Sequence, residues 1–263
     1  MKKTLLTTAI LSIVMFAQAG IIVLEGHYQG KNLFVQNPYS AAGVGFCTYE
    51  VTVNDNIATD EINSSAFEID LSAFNLKITD PVIIKIKHKD GCAPKVLNAE
   101  VLKPKSTFEI SSIEIAADGI LKWTSTNETG QIPYIIVQKR WNKWVKVGEV
   151  DGLGSKEGNS YQFKIDAHSG ENMFRVKQTD HTGKPRYSET VRFTDPSATE
   201  IFFEPKKPKD EIVFTGKTMY EIYDQYGNIV KRGYSDKIYV ANMKKDLYYL
   251  NYDNKMGETF VKK

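Results

Sequence analysis

Apolar and polar residues alternate with a period of two through much of this chain, in short runs separated by turn-forming residues. Phe67, Ile69 and Leu71 alternate with Glu68 and Asp70, and Cys47, Tyr49, Val51 and Val53 alternate with Thr48, Glu50 and Thr52. A period of two puts successive side chains on opposite faces of a pleated backbone, so these stretches predict half-buried β-strands. Val82 to Lys87 is a third run, ended by the turn Gly91-Cys92-Ala93-Pro94. Between Phe108 and Phe193 the same reading gives seven runs: Phe108 to Ile115, Ile120 to Ser125, Tyr134 to Trp141, Trp144 to Val150, Tyr161 to Ile165, Met173 to Gln178, and Tyr187 to Phe193. Tyr220 to Tyr223, Ile229 to Lys231, Lys237 to Val240, Leu247 to Tyr252 and Glu258 to Val261 continue the habit to the end. Helical periodicity occurs nowhere beyond the first residues, and the expected class is all-β, a tandem of small β-sandwiches.

Punctuation divides the runs. Residues 20–104 are expected to form an immunoglobulin-like β domain, with Lys103-Pro104-Lys105 as its boundary. Seven runs over 105–197 fit a second sandwich. The mix of prolines and charges from Glu204 to Asp210 predicts an extended, solvated linker over 198–210, with a last β domain over 211–263.

Two stretches resemble known families. ILKWTS, with Trp123 on the second run, and HSGENMFRVKQTDHTGKPRYSETVRF, with Gly183 between its runs and Tyr187-Ser188 following, resemble a fibronectin type III domain, with Phe174 where tyrosine is usual. IYDQYGNIVKRG, then ANMKKDLYYL and a terminal ETFVKK, resemble the type A C-terminal sorting domain of type IX (Por) secretion cargo. Tyr223, Gly227, Gly233, Tyr248, Tyr249, Lys262 and Lys263 carry that motif. Asp246 stands where such domains carry glycine, which predicts a left-handed turn on a residue less suited to it than glycine. In the Leu247 to Tyr252 run, Tyr248, Leu250 and Tyr252 are expected to face the core and Tyr249 and Asn251 to face away. The resemblance implies the type IX secretion machinery as a partner and a surface or extracellular destination.

The leader agrees with export. Lys2-Lys3, the apolar run Leu5 to Phe16 and Ala17-Gln18-Ala19 make a secretory signal peptide over residues 1–19, too short and too polar at its end for a membrane span. Without Lys2 and Lys3, the 34 basic residues become 32 against 32 acidic ones, and a formally neutral chain disfavours nucleic acid as partner. In an oxidising compartment Cys47 and Cys92 are expected to pair, closing a loop worth roughly 4 kcal/mol in the chain-entropy model.

Few residues are candidates for chemistry. The loops Asn54-Asp55-Asn56 and Thr59-Asp60-Glu61 offer carboxylates, but lack the glycine and terminal glutamate of a recognised calcium loop, and ordinary turns are expected. His88 lies four residues before Cys92, a pair without the further ligands of a zinc site. No nucleophile elbow, phosphate loop or dinucleotide fingerprint occurs, and no carboxylate stands out, so neither catalytic residues nor cofactors are expected. Trp141 and Trp144, set across Asn142-Lys143 and interleaved with Arg140, Lys143 and Lys146, suggest either a sugar or peptide platform or ordinary core and edge packing. The function expected is a non-enzymatic secreted or cell-surface protein acting in binding, adhesion or envelope scaffolding. Its partner would be an unknown surface protein or glycan, and its location periplasmic if the last domain is only structural. A small secreted hydrolase or carbohydrate-binding accessory protein is the alternative.

Overall fold

The computed structural model describes residues 20–40 and 44–263; the signal-peptide reading lies outside the described residues. The chain divides between Lys103 and Pro104 into two compact units. Both are built almost wholly of strands, and the fold is all-β.

In the first unit, β1 (Gly20–His27), β2 (Leu33–Gln36), β3 (Thr48–Val53), β4 (Asn56–Ile57), β5 (Ala66–Ile69), β6 (Pro81–His88) and β7 (Lys95–Val96) form two sheets ordered β1-β6-β3-β4 and β5-β2-β7. Leu33, Val35, Val51, Val53, Ile69, Val82, Ile84 and Ile86 share one core. The expected alternation holds in β5, where Phe67 and Ile69 are buried and Glu68 is exposed. It breaks in β3: the register against β6 shifts between Thr48 and Glu50, which turns Tyr49 to solvent while Cys47 and Val51 stay inside. Asn54 and Asp55 both have positive φ, and with Val53 opposite Asn56 they form the two-residue hairpin turn that suits a right-handed strand twist. Cys47 and Cys92 are disulfide-bonded, with Cα atoms 6.0 Å apart. Because Thr48 pairs with His88, the bond ties the end of β3 to the turn beyond β6.

The second unit opens with β8 (Glu109–Ile115), β9 (Ile120–Thr126), β10 (Tyr134–Arg140), β11 (Lys143–Val150), β12 (Asn159–Lys164), β13 (Glu171–Thr179), β14 (Pro185–Tyr187) and β15 (Val191–Thr194). The sheets are β12-β9-β8 and β11-β10-β13, with β14 and β15 both on β13, a sandwich of the fibronectin type III kind. The seventh expected run is thus two short strands, parted where the Ser188 hydroxyl accepts from the Val176 amide. Trp123, Tyr134, Tyr161 and Phe174 fill the core. Phe174 brings no hydroxyl, and the buried hydrogen bonding lies elsewhere. Glu128, 2% exposed, accepts from the hydroxyls of Ser125, Tyr134 (2.9 Å) and Tyr161 (2.8 Å) and from the Gly154 amide (2.7 Å).

The unit ends with β16 (Phe203–Glu204), β17 (Glu211–Tyr223), β18 (Ile229–Tyr239), β19 (Leu247–Tyr252) and β20 (Lys255–Val261), in the order β16-β17-β19-β20 with β18 also on β17. The strands are longer than alternation alone suggested, and the register of β17 against β18 shifts between Val213 and Thr218. The 198–210 segment is not a free spacer along its length. Phe203 pairs with Phe214, is 1% exposed, and packs edge-on against Tyr252 at 5.4 Å. Asp246 does not adopt a left-handed backbone either; its side chain accepts from the Leu247 amide and its carbonyl from the Lys262 amide. Tyr248, Leu250 and Tyr252 face the core, but Asn251 is also buried, accepting from the Gly257 amide at 2.8 Å.

Candidate functional site

The outer face of the β11-β10-β13 sheet carries an unusual side-chain arrangement. Along β13, Asn172, Phe174, Val176 and Gln178 are buried, so Met173, Arg175 and Lys177 point outward. Register then fixes the neighbours: Val137 lies opposite Arg175, Trp144 opposite Lys139, and Tyr187 opposite Lys177. The Arg175 guanidinium is held between two rings, with its central carbon 4.1 Å from the Trp144 ring centre and 3.8 Å from that of Tyr187. Trp144 and Arg175 meet across β10, and the stack lies above Val137, which is only 3% exposed although it faces outward. The Arg175 side chain forms neither a hydrogen bond nor an ion pair among the described residues, and its Nε is buried without a partner.

Charges on this face divide into paired and unpaired. Lys146 is engaged by Glu149, and Arg192 by Glu171 at 2.5 Å. Lys139, Arg175 and Lys177 have no acidic partner among the described residues. The result is a flat face with three uncompensated cations, one of them fixed by aromatic stacking.

The cluster nominated in the sequence is split by the hairpin. The turn is Trp141-Asn142, both with positive φ, rather than Asn142-Lys143, and Arg140 faces Lys143 across it. Neither tryptophan enters the core: Trp144 joins the stack, and Trp141 sits half-buried in the turn. Arg140 and Lys143 point away from the open face into a seam between the middle sandwich and the last sheet. Arg140 is buried; its Nε donates to Gln138 at 2.6 Å, with longer contacts of 3.4 Å to the carbonyls of Asp253 and Asp166. Lys143 bonds Glu221 and the Tyr223 hydroxyl, and although burial opposes it, these partners raise its pKa. Asp253 accepts from the Ser169 amide at 3.0 Å and from the Ser169 hydroxyl. Burial, and then the Arg140 charge, hold the His168 imidazole below its ordinary value. The Asp166 carboxylate beside Tyr234, helped by burial, pushes that phenol up to about 12.

The sorting-like residues are not gathered into one patch. Tyr223 belongs to the seam, and Gly227 supplies the positive φ of the Asp224–Asn228 turn. Gly233 lies against the Tyr220 ring, where a Cβ would come within 2.9 Å of the hydroxyl. Tyr248 is core, stacked on Phe260, whereas Tyr249 is exposed. The Lys262 amide meets Asp246 and that of Lys263 meets Pro208, so the terminus is tied down by its backbone. The remaining candidates resolve into structure. His88 Nδ1 lies 3.0 Å from the Lys89 carbonyl, Asp55 pairs with Lys85, and no metal-holding cluster of three His, Cys, Asp or Glu occurs among the described residues. No described helix is long and apolar enough to cross a membrane.

Arg175, Tyr187, Lys139 and Lys177 escaped the sequence reading. Alternation in MFRVKQ marks Arg175 and Lys177 as outward, but their meeting with Trp144 and Tyr187 depends on strand pairing over long separations.

Fold and face together describe an all-β chain, two sandwiches followed by a five-stranded sheet, with an open, basic and aromatic face on the middle sandwich. No protein-family model matches the chain, and no curated protein matches it. Among solved structures it overlaps a tetra-tandem repeat from the extending region of a large adhesion protein, at 11% identity and a TM-score of 0.29, covering 94% of this chain and 73% of that one. It also overlaps the first three fibronectin-type domains of chicken CNTN1, at 11% identity and a TM-score of 0.23, covering 94% and 98%. Dimeric latent PorU from Porphyromonas gingivalis aligns at 12% identity and a TM-score of 0.21, covering 93% of this chain and 30% of that one. Overlaps at this level carry no function across.

Proposed function

We propose that this is a non-enzymatic, exported binding protein held at the cell surface or released, leaving by the Sec route and then the type IX system. The observation that supports binding is the stack of Trp144, Arg175 and Tyr187 on an open sheet face: a prearranged group that no internal partner uses. The export route is supported by the leader pattern and by the sorting-like residues of the last sheet.

The seam favours a second reading. Burial of Arg140, His168, Ser169 and Asp253 makes the last sheet a structural partner of the middle sandwich, and a tail with that role alone would leave the protein periplasmic.

A reporter fused to Ser197–Lys263 separates the two. That fragment keeps Phe203 in its core, whereas a fusion beginning at Glu211 would remove it. In a strain whose type IX system exports other cargo, the reporter is expected in the medium or at the surface. Retention in the periplasm, with other cargo still exported, would defeat the sorting assignment.

A further inference from the structure

We propose that the outer face of the β11-β10-β13 sheet binds an acidic polysaccharide, a chain of carboxylate-bearing sugars, with Arg175 as the central contact. The inference rests on the binding-protein reading and names its ligand class.

Stacking restricts the directions from which a guanidinium can be reached. Trp144 at 4.1 Å and Tyr187 at 3.8 Å stack on it and its Nε is buried, so the in-plane N–H groups of its two terminal nitrogens remain for a ligand. A guanidinium edge matches a carboxylate in a two-pronged, charge-assisted pair, and fixing the plane beforehand removes much of the entropy cost of forming it. Lys139 and Lys177, both without acidic partners, extend the positive charge along β10 and β13 on either side. The three cations follow one another along the strands: Lys177 is two residues from Arg175 on β13, and Lys139 is two residues beyond Val137, the partner of Arg175, on β10.

The rest of the face selects among anionic partners. Trp144 is half-buried and Tyr187 is 43% exposed; each turns one ring face to Arg175, leaving ring surface for the apolar face of a sugar. An extended acidic peptide recognised by strand addition needs a sheet edge with free backbone groups. Trp144 and Tyr187 stand on the edge strands β11 and β14, but Arg175 lies on β13, which is paired on both sides, so a ligand reaches it across the face and not by strand addition. Nucleic acid wants a track of many cations, and this face holds three unpaired ones on a chain with equal numbers of acids and bases beyond its leader. A side-chain-read, shallow, aromatic and modestly cationic face suits a carboxylated glycan.

The test uses the full chain, exported so that its disulfide forms, and immobilised polygalacturonate, with neutral dextran and poly-L-glutamate as comparators. We expect retention on polygalacturonate that falls as salt rises, and little on dextran. Arg175→Gln should weaken binding at least about tenfold, as expected for loss of a two-pronged charged contact. Because Arg175 also packs its two rings, the double variant Lys139→Gln/Lys177→Gln is the second probe. Both side chains lie outside the stack, and its thermal midpoint should match the parent while binding drops. No retention on polygalacturonate at low salt overturns the proposal, as does undiminished binding by the folded double variant. Equal binding of poly-L-glutamate would assign the face to acidic polypeptides instead, and equal binding of dextran would show that charge plays no part. Exposure of the protein on whole cells, probed by protease shaving, tests the broader reading independently, so failure of one is distinguishable from failure of the other.

Discussion

Glu128 shows how a single buried carboxylate can organise a core. Its oxygens collect the hydroxyls of Ser125, Tyr134 and Tyr161 and the amide of Gly154, four donors with no cation. Burial first, and then the neighbouring carboxylate, raise both tyrosine pKa values, so the phenols remain donors throughout the physiological range. Donors aimed at a carboxylate offset its desolvation, and removing it strands all four. Glu128→Ala should therefore cost about 3–5 kcal/mol, read as a drop in the denaturant midpoint. A mutant within about 0.5 kcal/mol of the parent, the size of an ordinary surface change, would show that the cluster is not structural. Nothing in the string Asn127-Glu128-Thr129 distinguishes this acid from its exposed relatives, because its partners lie six, twenty-six and thirty-three residues away as well as three.

Among the elements, those whose pattern is local are the ones the sequence makes legible. Phe67 to Ile69 and Phe174 to Val176 alternate because each residue's side is set by its own backbone. The bulge at Tyr49 and the strand at Phe203 are decided by distant neighbours, and so are invisible in composition. Phe203 sits in a stretch of prolines and lysines that reads as solvated, yet Phe214 and Tyr252 bury its ring. Phe203→Ala should cost about 3–5 kcal/mol, the usual loss for a buried phenylalanine, and lower the thermal midpoint. An unchanged midpoint would restore the spacer reading. The face around Arg175 was half legible for the same reason: direction along the strand could be read, but the partners across it could not.

Taken whole, both units have apolar cores and differ in what is added to them: the first carries a disulfide, the second a polar seam. The seam sets an expected pH response. His168 is held below its ordinary value of 6.5, so just below that pH the unfolded chain binds a proton that the folded chain refuses. Stability from this group is therefore complete above about 6.5 and declines as pH falls towards the depressed folded value. Denaturation of the parent and of His168→Gln between neutral and mildly acidic pH should show the larger decline in the parent; parallel curves would remove His168 as the cause. The same seam bears on descent. Across the seam the Asp253 carboxylate, in the turn between β19 and β20, accepts from the amide and hydroxyl of Ser169, 84 positions earlier, while its carbonyl lies 3.4 Å from Arg140. A lineage that trades its last sheet for another strands the Ser169 hydroxyl and takes one contact from the buried Arg140, so related chains should keep or lose Ser169 and Asp253 together.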